Sequence, residues 1–456
     1  MFNTLIKLFR VIGIDKSIAY SSGARVISAS LGFLTVFFIT FYLTGEEQGY
    51  YYTFGSLLAM QVFFELGLTS ILTQFVAHEV SHLSISVEGS LSGDLIYKSR
   101  LSSLIHFCLK WYFYIGAGVF LFLFFAGIIF FNVFSDNNTV VTDWFIPWLL
   151  VCCATVIKFL QSPLSSIYMG LGYVKEMSKI IFFQNLLQPL TIWVCLFSGI
   201  KLYSIGIGYI VSCILFFYFF FKMNLLHSIV EIWNTSITQE INYMKEIFPF
   251  QWRIALSWIS GYFIYNLFNP VLFATEGAIV AGQMGLTISI LTAIQSFATS
   301  WISTKVPLYS QLIAQKDYNK LDSIFDRTNK QMTYICLFIL LLFILILLIF
   351  SSFNIEVMGI NISDRLLPTK YVIALAISIF CNVWIAAWGT YLRCHKQEPL
   401  LMFSVLSGIC CCLSTIGLGY SFGLNGIVLG YTLIMLISVP CVYRIFKNKK
   451  ENWHKV

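Results

Sequence analysis

Residues 331–353 read QMTYICLFILLLFILILLIFSSF, a run with no charged side chain. The hydrocarbon core of a bilayer is about 30 Å thick, and roughly 20 apolar residues of α-helix cross it. This run has that length and that chemistry. Eleven others of the same kind lie along the chain, so that the apolar stretches are roughly 22–43, 50–76, 103–132, 144–168, 178–199, 202–221, 247–273, 278–304, 331–353, 370–393, 399–420 and 424–443. No long polar insertion separates them, and no second, soluble domain is expected.

Composition agrees. Of 456 residues, 58% are hydrophobic and 11% charged, whereas a soluble domain carries about 25% charged residues. So little polar surface cannot cover a globule in water. The expected fold is an all-α polytopic membrane protein with twelve transmembrane helices.

Charge placement orients the spans, because Lys and Arg collect on the cytoplasmic side. With both termini cytoplasmic, 25 of the 28 Lys and Arg residues fall on the inner side or at inner helix ends, leaving only Lys201, Arg365 and Lys370 outside. Flipping one span would spoil the alternation. The net charge of +7 therefore reports membrane orientation, and no nucleic-acid partner is implied. Residues 1–16 carry Lys7, Arg10 and Lys16 among Leu5, Ile6, Leu8, Phe9 and Ile12. They read as a basic amphipathic segment lying along the inner interface and not as a cleaved leader. The twelve cysteines sit in or at the ends of apolar spans with no C-x-x-C pair. They read as small packing residues, not as a disulfide or zinc framework.

Six spans and then six more suggest a duplication. Glu47-Gln48-Gly49-Tyr50 follows span 1, and Thr275-Glu276-Gly277-Ala278 follows span 7. Span 4 ends Tyr168-Met169-Gly170 before Lys175-Glu176, and span 10 ends Tyr391-Leu392-Arg393 before Lys396-Gln397-Glu398. Span 6 opens Tyr203-Ser204-Ile205-Gly206, and span 12 opens Leu424-Asn425-Gly426-Ile427. The offsets are 228, 223 and 220 residues, in order along the chain. An even number of spans per half keeps the halves parallel, related by an axis along the membrane normal, and substrate sites in such transporters lie near the midplane. The expected organisation is a six-helix bundle over 1–222, a helical cytoplasmic linker over 223–245 and a second six-helix bundle over 246–456. Two longer inner segments, 77–102 and 305–330, occupy equivalent places, and the second reads as an amphipathic helix. Pro189 and Pro270 interrupt spans 5 and 7 beside amide side chains, and each is either a static kink or a hinge.

The loudest motif is His78-Glu79-Val80-Ser81-His82, a literal H-E-x-x-H. On a helix the two imidazoles share a face and could bind zinc, with the glutamate as general base. No second motif supplies a third ligand, and the alternative is an interfacial helix end. No Walker-type phosphate loop and no paired catalytic carboxylates occur, so neither an enzyme active site nor a cofactor is expected.

Charges at membrane depth carry more information. One at a helix centre costs ~2.5–3.5 kcal/mol on insertion scales, so it usually faces a cavity or a partner. Glu65 lies near the middle of span 2 and Lys158 well inside span 4. Arg25, Arg253 and Lys305 lie at the ends of spans 1, 7 and 8. Four cations and one carboxylate make an electropositive lumen, suited to phosphate or pyrophosphate oxygens. Alternatively, Arg25, Arg253 and Lys305 snorkel to inner headgroups. Glu65 suits either an ion pair or a proton-coupling site.

The chain resembles bacterial polysaccharide flippases of the Wzx type, in the multidrug/oligosaccharidyl-lipid/polysaccharide (MOP) exporter superfamily. The segments that carry the likeness are Gly49-Tyr50-Tyr51 leading into Phe64-Glu65-Leu66-Gly67-Leu68, the span 7 run Phe250-Gln251-Trp252-Arg253-Ile254-Ala255-Leu256-Ser257-Trp258, and Pro307 through Ala314 to Asp317, Leu321 and Phe325. The resemblance implies a MATE-like cavity between two bundles, working by alternating access in the bacterial cytoplasmic membrane. The implied cargo is an undecaprenyl-pyrophosphate-linked oligosaccharide moved to the outer leaflet and driven by H⁺ or Na⁺, for O-antigen or capsule biosynthesis. A polysaccharide polymerase and a chain-length regulator are the implied protein partners. The residues matching a pyrophosphate-sugar site are Arg25, Lys158, Arg253 and Lys305, with Trp252, Trp258, Tyr262, Tyr265, Asn266, Asn269 and Gln295 as aromatic and amide walls. The rivals are a multidrug exporter of organic cations, a fourteen-span peptidoglycan-precursor flippase and an intramembrane zinc protease. The scarcity of intramembrane carboxylates argues for an anionic cargo over the first.

Overall fold

The computed structural model describes residues 31–454 except 33, 86–90, 136–142, 223–225 and 396. The amphipathic segment expected over 1–16, Arg25 and the opening of the first apolar stretch lie outside the described residues. Residues 34–42 of that stretch are helical.

The helices then follow in order: α1 (Gly45–Leu58), a short turn Val62–Glu65, α2 (Leu68–Val80), α3 (Leu95–Phe134), α4 (Phe145–Gly170), α5 (Val174–Phe197), α6 (Tyr203–Lys222) and α7 (Leu226–Trp233). They continue as α8 (Phe248–Tyr265), α9 (Phe268–Glu276), α10 (Ala278–Ser303), α11 (Val306–Ala314), α12 (Tyr318–Phe353), α13 (Thr369–Cys394) and α14 (Leu401–His454). Among the described residues, eight helices are long and apolar enough to cross a membrane, or nine if the bent pair Gly45–Glu65 and Leu68–Val80, 42° apart, is one crossing. The protein is a multi-pass membrane protein. In α14, non-helical Gly423 (φ 56°) joins two helices end to end.

Local chemistry sets the helix ends. Thr44 and Glu47 form a reciprocal capping pair at the start of α1: the Thr44 N–H donates to the Glu47 carboxylate at 2.9 Å, and the Glu47 N–H donates to the Thr44 hydroxyl at 3.2 Å. Asp317 caps α12 by accepting from the Lys320 N–H at 3.2 Å. Nothing breaks that helix until Asn354 enters the left-handed region at φ 46°. Gly172 (φ 96°) lets the Tyr173 N–H reach back to the Tyr168 carbonyl at 3.0 Å, which closes α4 and turns the chain into α5.

The connecting segments depart from expectation in four places. Within 77–102 the chain forms an antiparallel hairpin, β1 (Leu83–Ile85) with β2 (Leu91–Gly93). A second hairpin, β3 (Glu356–Val357) with β4 (Ile360–Asn361), turns on Met358 and Gly359, both at positive φ as a tight hairpin requires. The amphipathic helix expected over 305–330 is divided at Lys316 (φ 58°) into α11 and the first turns of α12. Its apolar face is still buried at Leu312, Leu321 and Phe325. Within the linker, Leu226–Trp233 is α-helical and Tyr243–Ile247 forms a π-helical turn, with non-helical backbone between them. Polar side chains strap the rest of it to α3. Ser99 Oγ accepts from the Thr238 and Gln239 N–H groups at 2.7 and 2.8 Å, and Ser102 Oγ donates to the Thr235 carbonyl at 3.2 Å. His106 stacks on Trp233 at 3.6 Å.

The described residues pack as two compact units: 57–133 with 143–259, and 31–56 with 134–135 and 260–454. In the first unit Trp148 is fully buried, and a Cβ on Gly127 would overlap its indole. That contact requires glycine. In the second unit α1 and α10 meet through glycines. A Cβ on Gly49 would overlap the Ala278 carbonyl oxygen, and one on Gly282 would lie 2.7 Å from the Gly49 nitrogen. Buried Gln48 secures the contact, its Nε2 donating to the Gly282 and Arg365 carbonyls at 2.8 and 3.1 Å. Close backbone approach through small residues, with a side-chain amide as polar glue, is how helices associate in lipid, where no hydrophobic effect drives them together.

Candidate functional site

Lys158 lies midway along α4, twelve residues before its end at Gly170, and its side chain is exposed. Its ammonium stands 4.6 Å from the centre of the Tyr209 ring, presented by α6. It makes no ion pair with any described residue. One turn on, Gln161 and Gln184 exchange hydrogen bonds at 3.0 and 3.2 Å, and Gln184 also donates to the Ser212 carbonyl at 2.9 Å. These buried amides fix α4, α5 and α6 beneath the lysine. The ammonium is thus a charge at membrane depth whose described neighbours are a π-face and dipoles.

Glu65 ends the short turn Val62–Glu65. Beyond it Leu66 (φ 50°) and Gly67 (φ 67°) are both left-handed, which breaks the span. The expectation of a carboxylate in the middle of a continuous helix becomes a carboxylate at a break. Its Oε1 accepts from the Thr69 hydroxyl at 2.5 Å. Gly67 packs on α8 so closely that a Cβ would overlap Ile254 Cγ2. The residue before Ile254, Arg253, is exposed, with its guanidinium 5.5 Å from the ring centre of exposed Trp252; Trp258 is also exposed.

In the other unit, Asn269 Nδ2 donates to Ser56 Oγ at 3.2 Å, and Asn266 is half-buried just before α9. Pro270 is the third residue of α9, where a backbone N–H has no helical acceptor, so it opens a helix and interrupts none. Pro189 lies inside α5, which continues through it. Lys305 occupies the N-cap position of α11, half-buried.

The H-E-x-x-H motif is taken apart by its neighbours. Helix α2 stops at Val80, before the second histidine. Glu79 is 2% exposed and accepts from Arg100 Nε and Nη2, each at 3.2 Å, while Arg100 Nη2 also reaches Glu246 at 2.6 Å. His78 is 72% exposed, and His82 stacks on Tyr97 at 4.0 Å. Among the described residues no group of three His, Cys, Asp or Glu is placed to hold a metal ion. The carboxylate that a metalloprotease would use as its base is here the buried partner of an arginine.

No family model and no curated protein sequence matches the chain. Solved structures do. An inward-facing multidrug resistance MATE family transporter of the MOP superfamily superposes with a TM-score of 0.60 at 12% identity, over 98% of this chain and 97% of that one. The lipid II flippase MurJ, in an inward closed conformation, gives 0.62 at 15% identity over 96% and 90%. A MOP superfamily transporter from Pyrococcus furiosus, described as having a binding pocket of reverse polarity, gives 0.53 at 12% over 95% and 96%. The chain has the MOP transporter fold.

Within this MOP fold, Lys158, Arg253, Trp258 and Glu65 belong to one packed unit, and Asn266, Asn269 and Lys305 to the other. Tyr209, the Gln161–Gln184 pair and the Leu66–Gly67 break are not among the sites expected from sequence. The glutamines are visible as amides within apolar spans, but only the packing shows that they pair.

Proposed function

We propose that this protein is a flippase of the Wzx type, carrying a polyprenyl-pyrophosphate-linked oligosaccharide from the inner to the outer leaflet of a bacterial cytoplasmic membrane. The observation that supports it best is Lys158, an exposed ammonium midway along a span that makes no ion pair with a described residue. An uncompensated cation at that depth is costly unless a ligand supplies the anion, and pyrophosphate is such an anion. Exposed Arg253 and Trp258, in the same packed unit as Lys158, suit the rest of a phosphosugar head. Glu65, beside a break in its span, is the candidate coupling group for H⁺ or Na⁺.

The proposed architecture has twelve spans with both termini inside, arranged as two homologous halves joined by the linker over 223–245. Three features favour it: α14 is two helices joined at Gly423, α8 and α9 together match one apolar stretch, and the helix over residues 34–42 covers the end of the first. The glycine contact between α1 and α10 joins positions near 49 and 277, which the repeat makes equivalent, as expected beside a pseudo-two-fold axis. Halves defined by duplication need not coincide with units defined by packing.

The test is translocation of a fluorescent undecaprenyl-pyrophosphate oligosaccharide by the full chain in proteoliposomes. Lys158→Ala should slow it at least tenfold, the loss of one charge-assisted contact of ~1.5–3 kcal/mol. Transport of organic cations instead, insensitive to Lys158, would favour a multidrug exporter.

A further inference from the structure

A second feature lies away from these residues, between α12 and α13. A cavity of about 340 Å³ there is lined by Asn329, Lys330, Thr333, Tyr334, Trp384 and Trp388. Trp384 Nε1 donates to Thr333 Oγ1 at 3.0 Å, which holds one wall in place. Trp388 is 8% exposed and stacks on Phe446, which holds the other. Asn329 contributes a polar side chain to this aromatic frame. Asn329 Oδ1 is buried and has no hydrogen-bond partner among the described residues. A buried acceptor without a partner is unfavourable, so a ligand that brings an N–H donor is favoured there.

The surroundings define that donor. Lys330 is exposed at the lip, and Asp326 is exposed one helical turn before it, on the same face of α12. The two form no ion pair with each other or with another described residue, so a cation and an anion stand a turn apart, both available. From the lip an apolar track runs along α12 through Tyr334, Phe338, Leu341 and Leu345, which are 69%, 67%, 57% and 54% exposed. Exposed apolar side chains at helical spacing on a membrane span face lipid. Trp and Tyr at the end of such a span mark the headgroup level.

We infer that this cavity is a binding site for the headgroup of an aminophospholipid, of the phosphatidylethanolamine class. Its phosphate meets Lys330, its primary ammonium donates to Asn329 Oδ1 and Asp326, its glycerol region rests on the tryptophans, and one acyl chain follows the track on α12. Both signs of charge are required, so a zwitterion fits better than an acidic lipid, which Asp326 repels. N–H donors are required as well, which a choline headgroup lacks.

Native mass spectrometry of the delipidated full chain in detergent, titrated with single synthetic phospholipids, tests this directly. Phosphatidylethanolamine should be retained about tenfold more strongly than phosphatidylcholine, equivalent to ~1.4 kcal/mol. Asn329→Leu should abolish that discrimination while leaving the phosphate contact. Lys330→Gln should weaken both lipids, and Lys320→Gln, an exposed cation of the same helix outside the cavity, should change neither. Equal retention of the two lipids by the unaltered protein overturns the proposal. So does tighter binding of phosphatidylglycerol than of phosphatidylethanolamine, persistence of the discrimination in Asn329→Leu, or an equal loss in Lys320→Gln.

Discussion

The buried carboxylate of Glu79, at the end of α2, is gripped by Arg100 of α3 through two nitrogens, each at 3.2 Å. The same guanidinium holds Glu246 at 2.6 Å, so one arginine joins α2, α3 and the turn that leads into α8. Removing one partner of a buried ion pair strands the other, at a cost of about 3–5 kcal/mol. Arg100→Ala should therefore lower the thermal unfolding temperature of the purified protein far more than Lys98→Ala two residues away.

Glu246 gives this cluster a pH signature. Burial alone would raise its pKa, but the Arg100 hydrogen bond, the Asn242 N–H and the Arg100 charge outweigh burial and hold it below 4.5. A carboxyl depressed in the folded state contributes stability that is present above its unfolded pKa and lost as pH falls through the folded value. The melting temperature should therefore drop on acidification below about pH 4.5, and Glu246→Gln should flatten that acid limb in a melting series across pH.

Gly67 combines a left-handed backbone with a close approach to Ile254. An alanine there meets both strains, ~1–2 kcal/mol for the backbone and ~1–3 kcal/mol for overpacking. Gly67→Ala should destabilise the fold, and adding Ile254→Ala should recover the packing part only. A double-mutant cycle on melting temperature gives the coupling; strictly additive effects would mean the two residues do not touch.

At the glycine contact, Gly282→Leu should impair folding or membrane yield, because the new side chain meets the Gly49 backbone rather than a movable side chain. Gly55→Leu, where nothing lies within 4 Å of the added Cβ, should be tolerated. Size-exclusion profiles of the two variants decide the matter.

Tyr209 stands under the Lys158 ammonium. Tyr209→Phe keeps the ring and should preserve translocation of the pyrophosphate-linked substrate; Tyr209→Leu removes ~1–2 kcal/mol of cation–π stabilisation and should slow it several-fold. Equal rates in both would detach the ring from transport.

Glu65→Gln can still accept from Thr69, so its melting temperature should stay close to that of the parent. If the carboxylate couples ions, gradient-driven flux should stop in this variant while substrate binding persists. Unchanged flux would leave the residue with a structural role at the break.

Much of this protein is legible before any folding. The apolar lengths identify the long helices that the structure describes. The 305–330 segment reads as amphipathic with the correct buried face, yet its break at Lys316 carries no glycine or proline to announce it. His78-Glu79-x-x-His82 misleads for the complementary reason: the motif is local, while the Arg100 that occupies Glu79 lies 21 residues away.

The sequence by itself determined that the chain spans a membrane many times, because span length and the cost of burying charge depend on each segment and the bilayer alone. Only the tertiary structure decided that Leu66 and Gly67 break a span against Ile254, that Gln161 pairs with Gln184, and that Asn329 is left facing a cavity. Each of those depends on which residue arrives from a distant helix, and a one-dimensional pattern of hydropathy and charge does not contain that partner.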